Sequence, residues 1–327
     1  MVYLGVDIGG TTIKGIVMKK SLDYSSIISR KTYAMKGGRI VLKNVFSIIK
    51  ELLTSTDEKV MGIGIGLPGL VDLSGKIIGD AVNIRTIAEV DLKNSVEKKF
   101  KLPVTLANDV NMATFGEYKV GAGKKFNNIV CIALGTGVGG GIVIEDKLFT
   151  GTKGMAAEIG HIVVEPFGRV CSCKLKGCVE TYASATGIVK TALKHAFKFE
   201  TPLAKIAKSN PSKINTKLIY QYCFKGDRFA LFVNEKTCEM LARLIGILFT
   251  VFTPELFILG GGVSNASEII IPKVQNHLNK YIYPEMLIYG VKIVQAQLGD
   301  RAGVVGAALY AKESLSKLKT TFILTEK

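Results

Sequence analysis

The stretch VYLGVDIGGTTIKGIVM, residues 2–18, places a glycine turn between two short apolar runs. The first run, Val2 to Ile8, has the length and composition of a buried strand, and a glycine pair follows it directly. The second run, Lys14 to Met18, predicts a returning strand, so residues 2–19 are expected to form a hairpin. Asp7 stands at the end of the first strand, immediately before the turn.

A similar layout returns in the middle of the chain. Residues 128–134 predict a strand, the stretch GTGVGGG at 135–141 predicts a glycine turn, and residues 142–145 predict a returning strand. Mixed strand and helix patterns follow each hairpin. The repetition favours an α/β protein of two duplicated lobes, although glycine-rich hairpins can also recur by chance. The predicted lobes are 1–118 plus 301–327, and 119–300.

The remaining pattern alternates strands and helices without a long linker. Apolar residues at helical spacing predict a helix at 40–53, with charged residues on its opposite face. Further strands are predicted at 60–65, 102–107 and 256–259, and helices at 110–118, 185–250, 269–281 and 303–312.

The composition limits the class of protein. The chain has 327 residues, 48% of them apolar, and no apolar run near the ~20 residues that span a bilayer. The early Asp7 and the glycines argue against a signal peptide, so a cytoplasmic location away from membranes is expected. A net charge of +16 could attract nucleic acid or polyphosphate. The lysines are scattered and Trp is absent, so no nucleic-acid partner is expected.

Three glycine-rich turns, each after an apolar strand, indicate a phosphate-binding site. Glycine lets backbone N–H groups approach a phosphate, and Thr or Lys side chains add donors. The second turn matches G-x-G-x-x-G, but a strand follows it instead of a helix, which argues against a dinucleotide site. A Walker motif is absent. The candidate ATP ligands are Asp7, Gly9, Gly10, Thr11, Thr12, Lys14, Gly135, Thr136, Gly137, Gly139, Gly260, Gly261 and Gly262.

Two acidic positions at strand ends are candidates for catalysis. Asp7 could hold Mg²⁺, directly or through water, or simply cap its turn. Asn108 and Asp109 lie between a predicted strand and a predicted helix. They could form a helix N-cap, or Asp109 could act as the general base that takes a proton from an acceptor hydroxyl.

A cysteine cluster is the most specific local signal. His161 precedes Cys171, Cys173 and Cys178, and three thiolates with one imidazole make a closed tetrahedral zinc site. Because such a site has no open position, the predicted Zn²⁺ is structural. Its expected role is to fix the loop that carries Glu158, His161 and Glu180.

These motifs, in this order, resemble the ROK family of sugar kinases and repressors. The resemblance extends from Asp7-Ile-Gly-Gly-Thr-Thr to Gly303-Val-Val-Gly-Ala-Ala, and includes Leu134-Gly-Thr-Gly-Val-Gly-Gly-Gly and Ala157-Glu-Ile-Gly-His161. It continues through Cys171-Ser-Cys173, Gly177-Cys178-Val-Glu180 and Thr181-Tyr-Ala-Ser-Ala-Thr-Gly187. The last run is especially similar to the glucokinases of the family.

The resemblance implies a two-lobe, actin-like ATPase fold, related to ribonuclease H, with a cleft that closes over sugar and ATP. It implies a kinase that transfers the γ-phosphate of ATP to glucose or another hexose, with Asp109 as catalytic base and Mg²⁺ as cofactor. It also implies a homodimer or homotetramer. The implied sugar ligands are Gly69, Asn83, Asn108, Asp109, Glu158, His161 and Glu180.

Two departures from the family pattern bear on these expectations. Lys174 replaces the glycine of the usual Cys-x-Cys-Gly run, so the turn there could differ. Ile84-Arg85-Thr86-Ile87 replaces a Leu-x-x-Trp stretch that lies near the sugar in relatives. Fructose, mannose, N-acetylmannosamine or a β-glucoside therefore remain alternative substrates.

Non-catalytic roles are also open at this stage. A sugar-sensing protein without catalysis is one alternative, although Asp109 argues against it. A repressor would carry a DNA-reading head before the first hairpin, and here the hairpin begins at residue 2.

Overall fold

The computed structural model describes residues 1–79, 81 and 84–325. The chain divides into two compact units. The first comprises Met1–Lys125, Gly141–Ala156 and Leu298–Lys327, and the second comprises Phe126–Gly140 and Ala157–Gln297. The predicted lobes, 1–118 plus 301–327 and 119–300, have other boundaries than these units and stay a prediction.

The first sheet has five strands in the order β3-β2-β1-β4-β7. Strands β1 and β2 pair antiparallel, as the predicted hairpin requires, and β1, β4 and β7 are parallel. Asp7 lies opposite Lys14 on one side and Gly66 on the other. The bounds are β1 Val2–Ile8, β2 Thr12–Lys19, β3 Ile28–Lys31, β4 Val60–Leu67 and β7 Val104–Asn108, with a small hairpin of β5 Leu70–Val71 and β6 Ile77–Ile78.

The second sheet repeats this topology in the order β10-β9-β8-β11-β12. Its first strand in the sequence, β8, is again central; β11 pairs with it in parallel, and β12 pairs in parallel with β11. The shared strand order confirms the predicted α/β fold with a duplicated layout. The bounds are β8 Ile129–Leu134, β9 Val138–Ile144, β10 Lys147–Leu148, β11 Leu256–Gly260 and β12 Ile293–Gln295.

The predicted glycine turn at 135–141 is too long. Strand β9 already begins at Val138, so the turn between β8 and β9 comprises only residues 135–137. The later glycines of the run are strand residues. Gly140 has to be small because a Cβ there would collide with the Ile159 side chain.

The helices pack on these sheets through apolar faces. In the first unit, Val41, Val45, Ile48 and Leu52 form the buried stripe of one helix at the predicted position. The bounds are α1 Gly38–Thr54, α2 Leu92–Phe100, α3 Asp109–Val120, α4 Glu180–Ala183, α5 Ala185–His195, α6 Pro202–Ser209, α7 Thr216–Phe224, α8 Arg228–Phe252, α9 Ser267–Leu278, α10 Pro284–Leu287 and α11 Ala302–Thr325.

The helical stretch predicted at 185–250 is divided into four helices, α5 to α8, by side-chain caps. Thr201 caps α6 and is followed by a proline, Asn215 caps α7, and Asp227 caps α8. Such residues stop one helix and start the next because their oxygens accept the first unpaired N–H groups. Within the described part of the chain, no helix combines the length and the apolarity that crossing a bilayer requires.

Candidate active site

Asp7, the last residue but one of β1, lies in a crowded, half-buried position. Burial raises the pKa of its carboxyl from 3.8 to about 7, the Asp109 carboxylate adds to the increase, and Lys14 opposes it. A Cβ on Gly303 would lie 2.8 Å from Asp7 Oδ2, so the start of α11 lies against this carboxyl group. The turn after Asp7 is closed by a hydrogen bond from the Gly9 N–H to Thr12 O, 3.0 Å long.

Lys14 is held beside the same turn. Its Nζ donates to the Asp300 carbonyl oxygen at 2.9 Å and lies 3.8 Å from the Asp300 carboxylate. The lysine predicted to bind phosphate is therefore positioned by the turn that precedes α11. Sequence reasoning missed Asp300, and no local motif marks it.

Asn108 provides the N-cap of α3. Its Oδ1 accepts from the N–H groups of Val110 and Asn111, at 2.9 and 3.1 Å, and its Nδ2 donates to Gly69 O at 3.1 Å. Asp109 is the first residue of the helix. Of the two capping candidates in the sequence, Asn108 therefore caps the first turn of α3. Its side chain also holds Gly69 beside the N-terminus of this helix. The predicted sugar ligand Asn83 lies outside the described residues.

In the second unit, Glu180 contacts the turn between β8 and β9. Its Oε2 accepts a hydrogen bond from the Val138 N–H at 3.0 Å, and a Cβ on Gly137 would collide with this oxygen. A carboxylate predicted to bind sugar therefore also holds the turn predicted to bind phosphate. Gly261, with φ of +81°, lies against the end of β8, so the second and third glycine turns adjoin.

Glu158 and His161 lie on one short helical turn. Partial desolvation raises the pKa of the exposed Glu158 carboxyl, His161 opposes that increase, and Glu180 adds to it. The three predicted sugar ligands of this unit are thus close enough to interact electrostatically. Acidic groups of this kind are suited to accept hydrogen bonds from sugar hydroxyls.

The four predicted zinc ligands lie together. Their donor atoms, from His161, Cys171, Cys173 and Cys178, are all within 4.8 Å of one another. The Cys173 and Cys178 sulfurs are 3.6 Å apart, as are the Cys171 sulfur and His161 Nδ1. Ligands on one tetrahedral Zn²⁺ are about 3.5–3.8 Å apart, given its usual bond lengths. The donor set and its spacing therefore fit zinc.

Lys174 makes a tight turn within the cysteine loop. Its φ is +73°, in the left-handed region, and its N–H donates to Cys171 O at 2.9 Å. A difference from the turn of the family pattern stays a prediction. The lysine adopts a conformation that costs a side-chain-bearing residue about 1–2 kcal/mol.

Arg169 is a site residue that sequence reasoning missed. Its guanidinium stacks on the Tyr182 ring and donates to the carbonyl oxygens of Thr181 and Gly187, at 2.8 and 3.0 Å. Desolvation lowers its pKa. It ties the cysteine loop to α4 and α5, and a single arginine in a loop gives no sequence signal for such a role.

Comparison with known proteins is consistent with this site. The model of the ROK family matches residues 3–314. The glucokinase of Thermotoga maritima is 34% identical over 312 residues, 95% of this chain and 98% of that protein. The glucokinase of Halalkalibacterium halodurans is 34% identical over 321 residues, 97% of each. The crystal structure of a ROK family glucokinase from Streptomyces griseus with glucose and AMPPNP has a TM-score of 0.81 at 32% identity, covering 96% of this chain and 100% of that one.

Replacing Asp7 by Asn should change how stability depends on pH. The carboxyl binds its proton more tightly in the folded state, where the pKa is about 7, than at its ordinary value of 3.8. Unfolding between these values therefore releases a proton, and the unfolding free energy of the wild type falls as pH rises from about 4 to 7. In Asp7→Asn this fall should be smaller, by on the order of 2 kcal/mol.

Urea unfolding at pH 5 and pH 8, in metal-free buffer, measures the difference. Asp57→Asn, which removes an exposed carboxyl from the same unit, is the control and should behave as the wild type. Equal losses of stability in wild type and Asp7→Asn would show that this carboxyl ionises normally.

Replacing Lys174 by Gly should stabilise the protein. Glycine adopts the left-handed conformation freely, and this gain exceeds its greater entropy in the unfolded chain. We expect the unfolding free energy to rise by about 0.5–1 kcal/mol in zinc-containing buffer. Lys176→Gly, two residues on and not at positive φ, should destabilise. A loss of stability in Lys174→Gly would contradict the strain argument.

Proposed function

Because the chain belongs to the ROK family, we propose that it is an ATP-dependent hexose kinase that converts glucose to glucose 6-phosphate. One observation carries the proposal. Over nearly its whole length the chain is similar to a ROK glucokinase whose crystal structure holds both glucose and an ATP analogue. The fold is the two-domain, actin-like fold of the family's sugar kinases.

Asp109 is the proposed catalytic base. It lies at the start of α3, while Asn108 supplies the cap. Its carboxylate would accept the proton of the sugar hydroxyl as that oxygen attacks the γ-phosphorus. Asp7 is the proposed Mg²⁺ ligand, and the cation would neutralise charge on the transferring phosphoryl group. The raised pKa of Asp7 means that cation binding would compete with a proton near neutral pH.

The remaining predicted residues divide between sugar and nucleotide. Asn108, Glu158, His161 and Glu180 are proposed to bind sugar hydroxyls, with Gly69 and Asn83. Unmatched polar groups in a closed site cost affinity, so several acceptors on one sugar favour one arrangement of hydroxyls. The proposed ATP ligands are the glycine turns and their donors: Asp7, Gly9, Gly10, Thr11, Thr12, Lys14, Gly135, Thr136, Gly137, Gly139, Gly260, Gly261 and Gly262.

A structural Zn²⁺ is part of the proposal. The spacing of its four donors supports it, and three thiolates with one imidazole favour zinc over harder cations. The ion would hold Cys171 and Cys178 together. It would thereby fix the loop between them, which leads to Glu180. His161 would then serve both the ion, through one ring nitrogen, and the sugar site.

Location and assembly belong to the same proposal. Clustered thiolates and ATP both suit a reducing, cytoplasmic location. A homodimer or homotetramer is the assembly that the family resemblance implies. Polyphosphate stays an alternative donor because of the net charge of +16.

A panel of hexoses, assayed by ADP release with ATP and Mg²⁺, tests the function. Glucose should give the highest kcat/KM, above mannose, fructose, N-acetylmannosamine and a β-glucoside. Repeating the assay with polyphosphate, by formation of the sugar phosphate, tests the donor. If another hexose gave the highest kcat/KM, the protein would still be a hexose kinase, but glucose would not be its preferred substrate.

Asp109→Asn is the control within this experiment. The amide cannot take the proton, so kcat should fall by about 10²–10⁴, while glucose binding, measured by calorimetry, is largely kept. An unchanged kcat would remove Asp109 from the role of base. A wild type that phosphorylates no hexose would contradict the kinase proposal itself.

Loss of one zinc ligand should weaken sugar binding. Cys173 is exposed, so Cys173→Ser removes a thiolate with little effect on packing. We expect one zinc per wild-type chain by metal analysis, and in the variant a loss of zinc with a glucose KM about tenfold higher. Cys223→Ala removes a buried cysteine from α7, outside the cluster, and should keep both zinc and KM. A variant that loses zinc and keeps its glucose KM would show that the ion does not order this loop.

A further inference from the structure

The turn between β8 and β9 is attached to the segment that carries Glu180. The first attachment is the carboxylate itself, whose Oε2 accepts the Val138 N–H at 3.0 Å. Gly137 leaves room for this contact, because a Cβ there would lie 2.4 Å from the same oxygen and would displace the carboxylate. A carboxylate has about four acceptor positions, so this bond leaves Glu180 able to accept from a sugar as well.

Two further attachments come from the start of α5. The Ala185 N–H donates to Gly135 O at 2.8 Å, and the Thr186 hydroxyl donates to Thr136 O at 3.1 Å. The hydroxyl of Ser184, the N-cap of α5, lies 3.0 Å from the Thr186 hydroxyl. Two of the three carbonyl groups of the turn, those of Gly135 and Thr136, are therefore fixed by donors from one helix terminus.

The segment that makes these bonds is itself fixed. The Ser184 hydroxyl donates to Glu180 O at 2.6 Å, and Arg169 donates to Thr181 O and Gly187 O. A displacement of Glu180 is therefore transmitted to α5, and through Ala185 to the glycine turn.

We propose that sugar and nucleotide bind to this protein with positive coupling, and that Thr186 is the positioning residue through which the coupling acts. The inference rests on the proposed function, in which Glu180 binds the sugar and residues 135–137 bind the nucleotide phosphates. A sugar that fixes Glu180 also fixes the turn in its phosphate-binding form. By linkage, a bound nucleotide raises the affinity for sugar by the same factor.

Calorimetry measures the coupling directly. The dissociation constant of the best hexose of the panel is determined alone and with saturating Mg²⁺ and AMPPNP, and that of AMPPNP with and without the sugar. For each ligand, the coupling factor is the dissociation constant measured alone divided by that measured with the other ligand bound. In the wild type we expect at least fivefold, equal in both directions.

Two variants each remove one attachment. Thr186→Val keeps the shape of an exposed side chain and deletes the donor. Ala185→Pro deletes the N–H at the first position of α5, where proline is tolerated, and the extended Ser184 before it suits a proline. Each should lower the coupling factor toward one, by about two- to fivefold, with the sugar constant measured alone unchanged.

Matched controls keep the attachments. Thr186→Ser retains a hydroxyl and should restore the wild-type coupling factor. Thr216→Pro places proline at the corresponding first position of α7, after the extended cap Asn215, and should leave the coupling unchanged.

The outcomes separate the inference from the function. A wild type that binds both ligands with a coupling factor of one overturns the inference and leaves the kinase in place. Wild-type coupling in both Thr186→Val and Ala185→Pro overturns the role of this attachment. A wild type that binds none of the hexoses contradicts the proposed function, and the inference with it.

Discussion

The close packing of α11 on the first sheet sets the position of the acidic groups in that unit. Side chains at Gly5 and Gly64 would collide with the backbone of α11, and one at Gly306 would collide with the backbone of α3. The helix therefore lies directly against the strand that carries Asp7 and the helix that begins with Asp109. Asp7 is consequently buried near a second carboxylate, and these two effects together raise its pKa to about 7.

The second unit positions its polar groups by a different physical means. Glu180 begins a helix of only four residues, too short to be fixed by its own hydrogen bonds. Its position depends on the cluster of three cysteines and His161 on one side and on Arg169 and the glycine turn on the other. Close packing of helices and strands would thus position the acidic groups of the first unit, whereas individual polar contacts position those of the second. Removing a single hydrogen-bonding atom should therefore displace the acidic groups of the second unit more than those of the first.

The sequence predicts what depends on local pattern. The two hairpins, the carboxylate after β7 and the cysteine cluster each occupy a short stretch, and the structure contains the hairpins and brings the four cluster residues together. Contacts distant in sequence were not predictable. Thr186 meets Thr136 across 50 residues and Lys14 meets Asp300 across 286, with no motif at either partner. Residues 138–141 belong to β9 and not to the predicted turn, and the side chains that require glycine at 140 and 141, Ile159 and Thr114, come from elsewhere in the chain.

In the proposed kinase, reaction class and sugar preference would depend on different parts of the chain. The segment 84–87, which departs from the family pattern, is anchored in the core because Ile84 and Ile87 are fully buried. The Thr86 hydroxyl accepts a hydrogen bond from the Gly38 N–H at 3.1 Å. Apolar contacts discriminate between ligands by only about 10- to 200-fold, whereas acceptors that must match hydroxyls discriminate by about 10⁴ or more. Loss of an aromatic side chain there should therefore weaken binding of every hexose. The choice among epimers would remain with the carboxylates, because an unmatched carboxylate in a closed site costs more than a lost apolar contact.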